Sequence, residues 1–467
     1  MYHSIKKGKI FLIGIGGIGM SGLAEILHNS GYQVFGSDLN EGSNVKRLKK
    51  LGINIKIGHK ARNITGASLI VYSSAISKNN PEIVEAMSNK IPLVSRAEML
   101  VELMRMKKTI TVAGSHGKTT TISLISEIFL VSGLDPTVVN GGIINSLGSN
   151  TRLGHSRWMI VETDESDGSF IKMPSFCGLI TSIDDEHVDF YNGMKFLEDA
   201  FEDYINNISI FGLSVICSDD HRAFNLASRH KRSDHIFYGT NNKANYRARN
   251  IRVSQQGQTF DVEIKIRNKK IITFKNIFFS MHGKHNLLNA LGAIAISHNL
   301  GVNFKFIRKA LKNFKGVRRR MTLIKKYMNR KYFDDYAHHP TEIRASLRAL
   351  KALSKKKLIT VIQPHRFSRI KGTYYKFSKS FIDSDMVIVL PIFAAGEKKI
   401  RGINASNLAE IIKKNSKTKT LYLDQFEKVE NYLNNEMKKG ETVVFMGAGN
   451  ISRFAYKYVN SLSDYNV

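Results

Sequence analysis

The segment Gly114-Ser115-His116-Gly117-Lys118-Thr119-Thr120 constrains this chain more than any other. It joins an apolar run, Thr109 to Ala113, to a helical pattern from Lys118 to Val131. A strand that passes through a glycine loop into a helix is the local architecture of a phosphate site. Glycines let backbone N–H groups approach phosphate oxygens, and the helix N-terminus adds partial positive charge. In such a loop Lys118 neutralises the β- and γ-phosphates, the Thr119 hydroxyl ligates magnesium, and Ser115, His116 and Thr120 complete the cradle. The spacing departs from GxxxxGK[ST], because Val112 stands at the first-glycine position and the loop is shorter.

Around this loop the chain alternates short apolar runs with helical patterns, which predicts an α/β protein. Three βα openings predict three domains: a Rossmann-like domain over 1–107, a central P-loop ATPase-type parallel sheet over 108–317, and a second Rossmann-like domain over 318–467. The first holds strands at Lys9 to Ile15, Gln33 to Phe35 and Leu69 to Tyr72, with helices at Met20 to His28 and Glu98 to Met106. The second adds strands at Trp158 to Glu162 and Gly178 to Ile183. The third has strands at Leu358 to Ile362, Met386 to Pro391 and Thr442 to Met446, and a helix at Thr341 to Leu353.

Carboxylates stand where a phosphate site needs them. Glu162 ends a strand beside the loop, followed by Asp164, Glu165 and Asp167, the position of a magnesium ligand. The next strand runs into Asp184-Asp185-Glu186-His187-Val188-Asp189, where His187 reads either as a metal ligand or as a solvated loop histidine. Nearer the start, Gly14, Gly16 and Gly19 form GxGxxG around Gly17, and Asp38 follows at about the distance of a ribose-binding acid. By themselves these residues describe a dinucleotide site.

Two cysteines, Cys177 and Cys217, lie far apart without CxxC spacing, which argues against a disulfide framework or a zinc site and fits a reducing cytoplasm. The apolar run after Lys6-Lys7 is cut by glycines, unlike a secretory signal or a membrane span. The net charge of +31 raises the alternative of a P-loop ATPase stimulated by nucleic acid. The basic residues are scattered rather than clustered, however, which fits a solvated surface and no nucleic-acid partner.

The loop AGSHGKTTT, the stretches VETDESDGSF, SIDDEHVDFY, HGKHNLLNALGA and FKGVRRRM, the loop DDYAHHP and the tract IQPHRFSR together resemble the Mur ligase family, in that family's order and over nearly the whole chain. IGIGGIGMSGLAEIL, SSAI at Ser73 to Ile76 and RAEML at Arg96 to Leu100 are most similar to members acting on UDP-N-acetylmuramate and L-alanine. A sister that attaches a preformed tripeptide shares several of these motifs. The resemblance implies an ATP- and Mg2+- (or Mn2+-) dependent ligase of cytoplasmic peptidoglycan precursor synthesis, monomer or homodimer, forming an acyl phosphate that an amine then attacks. It places metal ions on Thr119, Glu162 and His187, adenine contacts on His285, Asn286 and Asn289, and UDP rather than a dinucleotide on Gly14, Gly16, Gly17, Gly19, Asp38, Ser73 and Ser74.

In the third domain it implies that Arg366 and Arg369 hold the amino-acid carboxylate or the acyl phosphate, with His365 and Tyr336 beside the substrate. His338, in the same loop as His339, is placed to accept the amine proton, and Arg319 and Arg320 to clamp phosphates. Ser115, Ser182 and Glu186 depart from the family's usual residues. Several sister ligases use a CO2-modified lysine fifteen residues beyond the histidine matching His187; here that position is Glu202, and Lys195 is the nearest lysine, so independence from CO2 is expected.

Overall fold

In a computed structural model of the protein, these runs form three sheets in which parallel pairing dominates. The structure describes residues 8–73, 75–232, 234–265 and 270–462. It divides into two compact units. One is built on the chain up to Arg252 with Thr259–Ser280 and Leu288–Lys315; the other on Val253–Gln258, Met281–Leu287 and the chain from Gly316 on.

The first unit contains two sheets. Five parallel strands lie in the spatial order Asn54–Ile57, Gln33–Asp38, Lys9–Ile13, Leu69–Tyr72, Leu93–Ser95. The order reverses beside Lys9–Ile13, so a switch-point crevice opens at the carboxyl end of that strand. Its alternate residues serve opposite faces: Phe11 and Ile13 pack with Ile70 and Ile83, while Ile10 and Leu12 pack with Leu23 and Leu27. Burial on both faces explains the unbroken apolar run. The strand stops at Ile13, two residues before the expected Ile15, because Gly14 and Ile15 turn their N–H groups onto the Ser37 carbonyl. The second core also includes Met159, Val161 and Met173, so this sheet shares its interior with the larger one.

The larger sheet has ten strands in the order Ile271–Phe279, Gly257–Lys265, Tyr246–Ser254, Ile236–Gly239, Ile208–Cys217, Ser175–Ile180, Lys108–Ala113, Trp158–Glu162, Thr137–Ile144, Ser149–Arg152. The phosphate-loop strand Lys108–Ala113 lies between Ser175–Ile180 and Trp158–Glu162, parallel to both. The strand expected at Gly178 to Ile183 instead ends at Ile180. Ser182 leaves the ladder to serve the phosphate loop, accepting from Ser115 N at 3.0 Å and from His116 N at 3.1 Å.

The second unit holds six strands in the order Thr322–Tyr327, Arg330–Asp335, Thr442–Met446, Leu358–Ile362, Met386–Val389, Lys419–Tyr422, antiparallel only at the first pair. Separate apolar clusters cover its two faces, one on Leu347, Leu350 and Ile370, the other on Val429, Phe454 and Tyr458. The helix Pro340–Leu353 starts with proline at its first position, where the missing N–H costs nothing, behind His339 as N-cap. No helix among the described residues is long and apolar enough to cross a membrane. Both cysteines are buried, and burial pushes each thiol up to about 12, which suits neither disulfide nor metal chemistry.

Candidate active site

Gly117 opens the helix Lys118–Val131 with φ at +84°, a left-handed conformation that favours glycine. Space is short there too, since a Cβ would lie 2.3 Å from Asn289 Oδ1. Asn289 is buried, so it is a wall of the phosphate loop rather than a solvated helix face. The loop is braced from the neighbouring strand end: Ser115 Oγ accepts from Asp184 N at 2.9 Å, and His116 Nε2 lies 2.9 Å from Asp184 Oδ2. Ser115, Thr119 and Thr120 are buried around it.

Lys118 Nζ donates to the Gly114 carbonyl and to Glu165 Oε2, both at 2.7 Å. Burial by itself would depress this ammonium, but Glu165, Glu162 and Asp164 outweigh it and hold the lysine above its ordinary range. Thr119 Oγ1 donates to Glu162 Oε1 at 3.0 Å, while Glu162 Oε2 accepts from Gly141 N at 2.7 Å. A hydroxyl and a carboxylate so paired beside a phosphate loop can hold a hard divalent cation. His187 is brought to Glu165 and Glu186, with a donor atom of each within 4.8 Å of the others. Glu202 and Lys195 are both exposed on the helix Met194–Asn206, and Glu202 joins no cluster of potential ligands among the described residues. The buried face of that helix is Leu197, Ala200, Phe201, Tyr204 and Ile205. Phe196, although its spacing would put it with that apolar face, is 58% exposed.

In the five-stranded sheet the glycine loop sits at the switch point. Gly16 N donates to Asp38 Oδ2 at 2.8 Å, and Asn40 N to Asp38 Oδ1 at 3.1 Å, so Asp38 also anchors the loop. Gly17 caps the helix Ile18–Asn29, and Ser73 lies beside Gly14. Ser74 lies outside the described residues. Arg96 spreads over Gly19, where an added Cβ would lie 2.0 Å from its Nη1. A guanidinium beside a helix N-terminus suits a diphosphate, a role the residue pattern alone did not assign to Arg96.

In the second unit, residues from several chain segments converge past the carboxyl ends of Arg330–Asp335 and Leu358–Ile362. The guanidinium of Arg319 lies 4.7 Å from the Tyr336 ring centroid and that of Arg320 5.3 Å. Arg319 also donates to the Gly447 carbonyl at 2.6 Å, and Arg320 to Glu342 Oε1 at 3.2 Å. His338 Nδ1 donates to the Tyr336 carbonyl at 2.9 Å, which leaves Nε2 as the basic nitrogen. The His338 and His365 rings are 6.0 Å apart, and His365 stacks on Phe393. Burial, then the charges of His338, Arg369 and Arg366, push His365 down to about 4. A neutral His365 can therefore accept from Arg369, whose Nη1 is 3.1 Å from its Nδ1. Arg366 opens the helix Phe367–Ser378 at φ +66°, about half exposed and 4.0 Å from Glu397.

His285 and Asn286 belong to this unit, whereas Asn289 belongs to the first. Burial and Arg320 push His285 down to about 4, and Asn286 Nδ2 donates to the His282 carbonyl at 2.9 Å. Asp335, Glu342 and Glu397 complete the cluster and went unassigned in the sequence. Asp335 ends its strand, as Glu162 does, but follows only Tyr332, Phe333 and a second acid, Asp334, so no apolar run marks it in the sequence; burial pushes it up to about 6.

Residues 9–108 match the profile of the Mur ligase family catalytic domain, 112–297 the Mur ligase middle domain, and 319–449 the Mur ligase glutamate ligase domain. The UDP-N-acetylmuramate–L-alanine ligase of Phenylobacterium zucineum is 44% identical over 449 residues, 96% of this chain and 94% of that one. Its namesake from Bartonella henselae is 43% identical over 99% of this chain and 98% of its own length. Among solved structures, the UDP-N-acetylmuramate-alanine ligase of Thermotoga maritima superposes with a TM-score of 0.80 at 28% identity, covering 97% of this chain and 99% of that one. A murein peptide ligase from Psychrobacter arcticus, at 22% identity and a TM-score of 0.69, shares the fold. With all three domain profiles and relatives matched from end to end, the chain belongs to the Mur ligase family.

Proposed function

We propose that this chain joins L-alanine to the lactyl carboxylate of UDP-N-acetylmuramate at the expense of ATP, releasing ADP and phosphate. The observation that carries this reading is the similarity of 42–44% to ligases of that name over at least 96% of the chain. The murein peptide ligases among the structural neighbours stand at 22–24%, so the tripeptide alternative is not favoured. Three Mur ligase domain matches leave a nucleic-acid-stimulated ATPase without support.

A carboxylate is a poor acyl donor. One of its oxygens therefore attacks the γ-phosphorus of ATP, ADP leaves, and an acyl phosphate forms. The alanine amine then attacks the acyl carbon, loses a proton, and expels inorganic phosphate. Both steps concentrate negative charge, so positioning and cations do most of the catalysis. Lys118 and the N–H groups of Gly114 to Thr120 take the phosphates, with Asn289 forming the loop's wall and His285 and Asn286 serving the adenine. Thr119, Glu162 and His187 are the residues to hold Mg2+ or Mn2+, which supplies charge neutralisation when bound.

Gly14, Gly16, Gly17, Gly19, Asp38, Ser73 and Arg96 receive the UDP moiety, the pyrophosphate lying on the helix N-terminus. Arg366 and Arg369 hold the alanine carboxylate, Tyr336 and His365 flank it, and His338 Nε2 accepts the amine proton. Arg319 and Arg320 face phosphate oxygens. ATP and a nucleotide sugar as substrates suit the cytoplasm. In a coupled phosphate-release assay, turnover should require UDP-N-acetylmuramate and L-alanine together; release indifferent to either would overturn the assignment.

A further inference from the structure

Near neutral pH L-alanine carries both a carboxylate and an ammonium. Arg366 and Arg369 answer the first charge; the second needs an ionised acid that a ligand can reach. Three acids of this cluster do not meet that need. Asp334 and Asp335 are buried, and burial raises both carboxyls toward the neutral form. Glu342 is engaged by its neighbours, Arg320 donating to its Oε1 at 3.2 Å and His338 N to its Oε2 at 3.3 Å.

Glu397 differs. Its side chain is 27% exposed, and its Oε1 lies 4.0 Å from Arg366 Nε, too far for a hydrogen bond. Ser368 donates to it twice, Oγ to Oε1 at 2.6 Å and N to Oε2 at 3.0 Å. Burial by itself would raise this carboxyl, but the bonds from Ser368 and the charge of Arg366 outweigh it and hold it below the usual carboxylate range. A carboxylate offers about four acceptor sites, so these bonds leave it able to take a cation as well.

The backbone fixes where this carboxylate stands. Arg366 N donates to the Phe393 carbonyl at 2.9 Å and Phe393 N to the Pro364 carbonyl at 2.8 Å, which zips the segment ahead of Glu397 to the one carrying His365 and Arg366. A turn then closes from Glu397 N to the Ala394 carbonyl at 3.0 Å, with Ala395 at φ +49° and Gly396 at +88°. Left-handed backbone is uncommon for a residue with a Cβ, and at Ala395 it turns the chain back so that Glu397 meets Ser368. Guanidinium and carboxylate thus stand side by side at the start of the helix Phe367–Ser378.

We propose that Glu397 receives the ammonium of the amino-acid substrate while Arg366 receives its carboxylate, so that this pair of opposite charges selects an α-amino acid and sets which way round it lies. This rests on the reading of the cluster as the amino-acid site given above, and it adds Glu397 to that site. The nitrogen and the carboxylate carbon of an α-amino acid are about 2.5 Å apart across one Cα. Charges 4.0 Å apart can therefore take both ends of one molecule at once. Glu397 orients the nitrogen and stays ionised, which leaves the proton to His338 Nε2.

The test uses the full-length protein in the phosphate-release assay at saturating ATP, Mg2+ and UDP-N-acetylmuramate, with folding checked by circular dichroism and thermal midpoint. Glu397→Gln keeps the shape and an oxygen for Ser368 but loses the charge, and the KM for L-alanine should rise about tenfold. Inhibition by propionate, which has the carboxylate and no ammonium, should be undiminished in the same variant. Glu397→Asp, which keeps the charge, should give a KM between those of the unmodified protein and Glu397→Gln. An unchanged KM in Glu397→Gln would overturn the proposal, as would an aspartate variant no better than the glutamine one. So would propionate inhibition that weakens in step with L-alanine, the mark of a residue that only braces the helix start. Propionate without effect on the unmodified protein, or an L-alanine KM that Arg366→Ala leaves unchanged, would instead overturn the reading of the cluster as the amino-acid site.

Discussion

Asn289 Oδ1 occupies the space that a Cβ on Gly117 would need, 2.3 Å away, at a residue whose φ is +84°. Glycine at the helix start of the loop is therefore required twice, by backbone conformation and by a neighbour. Gly117→Ala should cost about 1–3 kcal/mol of stability and displace Asn289 from the loop. Thermal unfolding and ATP calorimetry check this. An alanine variant with unchanged midpoint and affinity would show that the contact does not shape the site.

Lys118→Ala removes the only side-chain cation hydrogen-bonded to Glu165 among the described residues. Turnover should fall by roughly two to three orders of magnitude, equivalent to about 3–4 kcal/mol, because a contact to the transferring phosphoryl group is lost. Circular dichroism accompanies the assay. Near-normal phosphate release from folded variant would remove the loop from the mechanism.

Arg366 is half exposed and only loosely paired with Glu397, so its guanidinium can turn to a substrate. Arg366→Ala should raise the KM for L-alanine or slow the second half-reaction while acyl phosphate still forms. Hydroxylamine trapping distinguishes the steps; equal loss of the trapped product would place Arg366 on phosphate instead.

The depressed histidines give stability a pH dependence of definite sign. His285 and His365 titrate near 4 when folded against 6.5 in an ordinary environment. Between those values the unfolded chain binds protons that the folded one refuses, so stability falls as pH drops from about 6.5 toward 4. Asp335, raised to about 6, acts in the opposite sense, its stabilising proton being lost as pH rises through 6. His235 is pushed down to about 4 as well, and His282 and His298 are lowered, whereas burial raises Asp220 and Asp334 alongside Asp335; with the depressed histidines in the majority, the thermal midpoint should decline from pH 7 to pH 5. In His365→Gln the decline should be shallower. An identical slope would mean that His365 is not held neutral by the fold.

Glu202 and Lys195 bear on CO2. Both are exposed, and a carbamate on Lys195 would stand at the solvent-facing start of its helix. Activity should be unaffected in CO2-depleted, mildly acidic buffer; recovery on adding bicarbonate would make Lys195 the residue to mutate.

What the sequence showed follows from local physics. The strand Lys108–Ala113, its glycine loop and helix, and Glu162 at the end of Trp158–Glu162 carry their signals within a few residues. The strand Tyr246–Ser254 buries Tyr246 and Ala248, but its alternation then changes phase to an exposed Ile251 and Val253, so no single apolar face marks it. Pairs that depend on tertiary placement were equally invisible: Glu165 on Lys118 across 47 positions, Arg96 over Gly19, and Glu342 beneath Arg320. Glu165 itself stood in view, in an acidic run that reads equally well as a solvated loop.

The most direct test of the central claim is the mass of the product. Incubated with ATP, Mg2+, UDP-N-acetylmuramate and L-alanine, the protein should convert the nucleotide sugar to a species heavier by one alanine residue, with stoichiometric ADP and phosphate. No conversion with L-alanine, or conversion only when the tripeptide replaces it, would contradict the account.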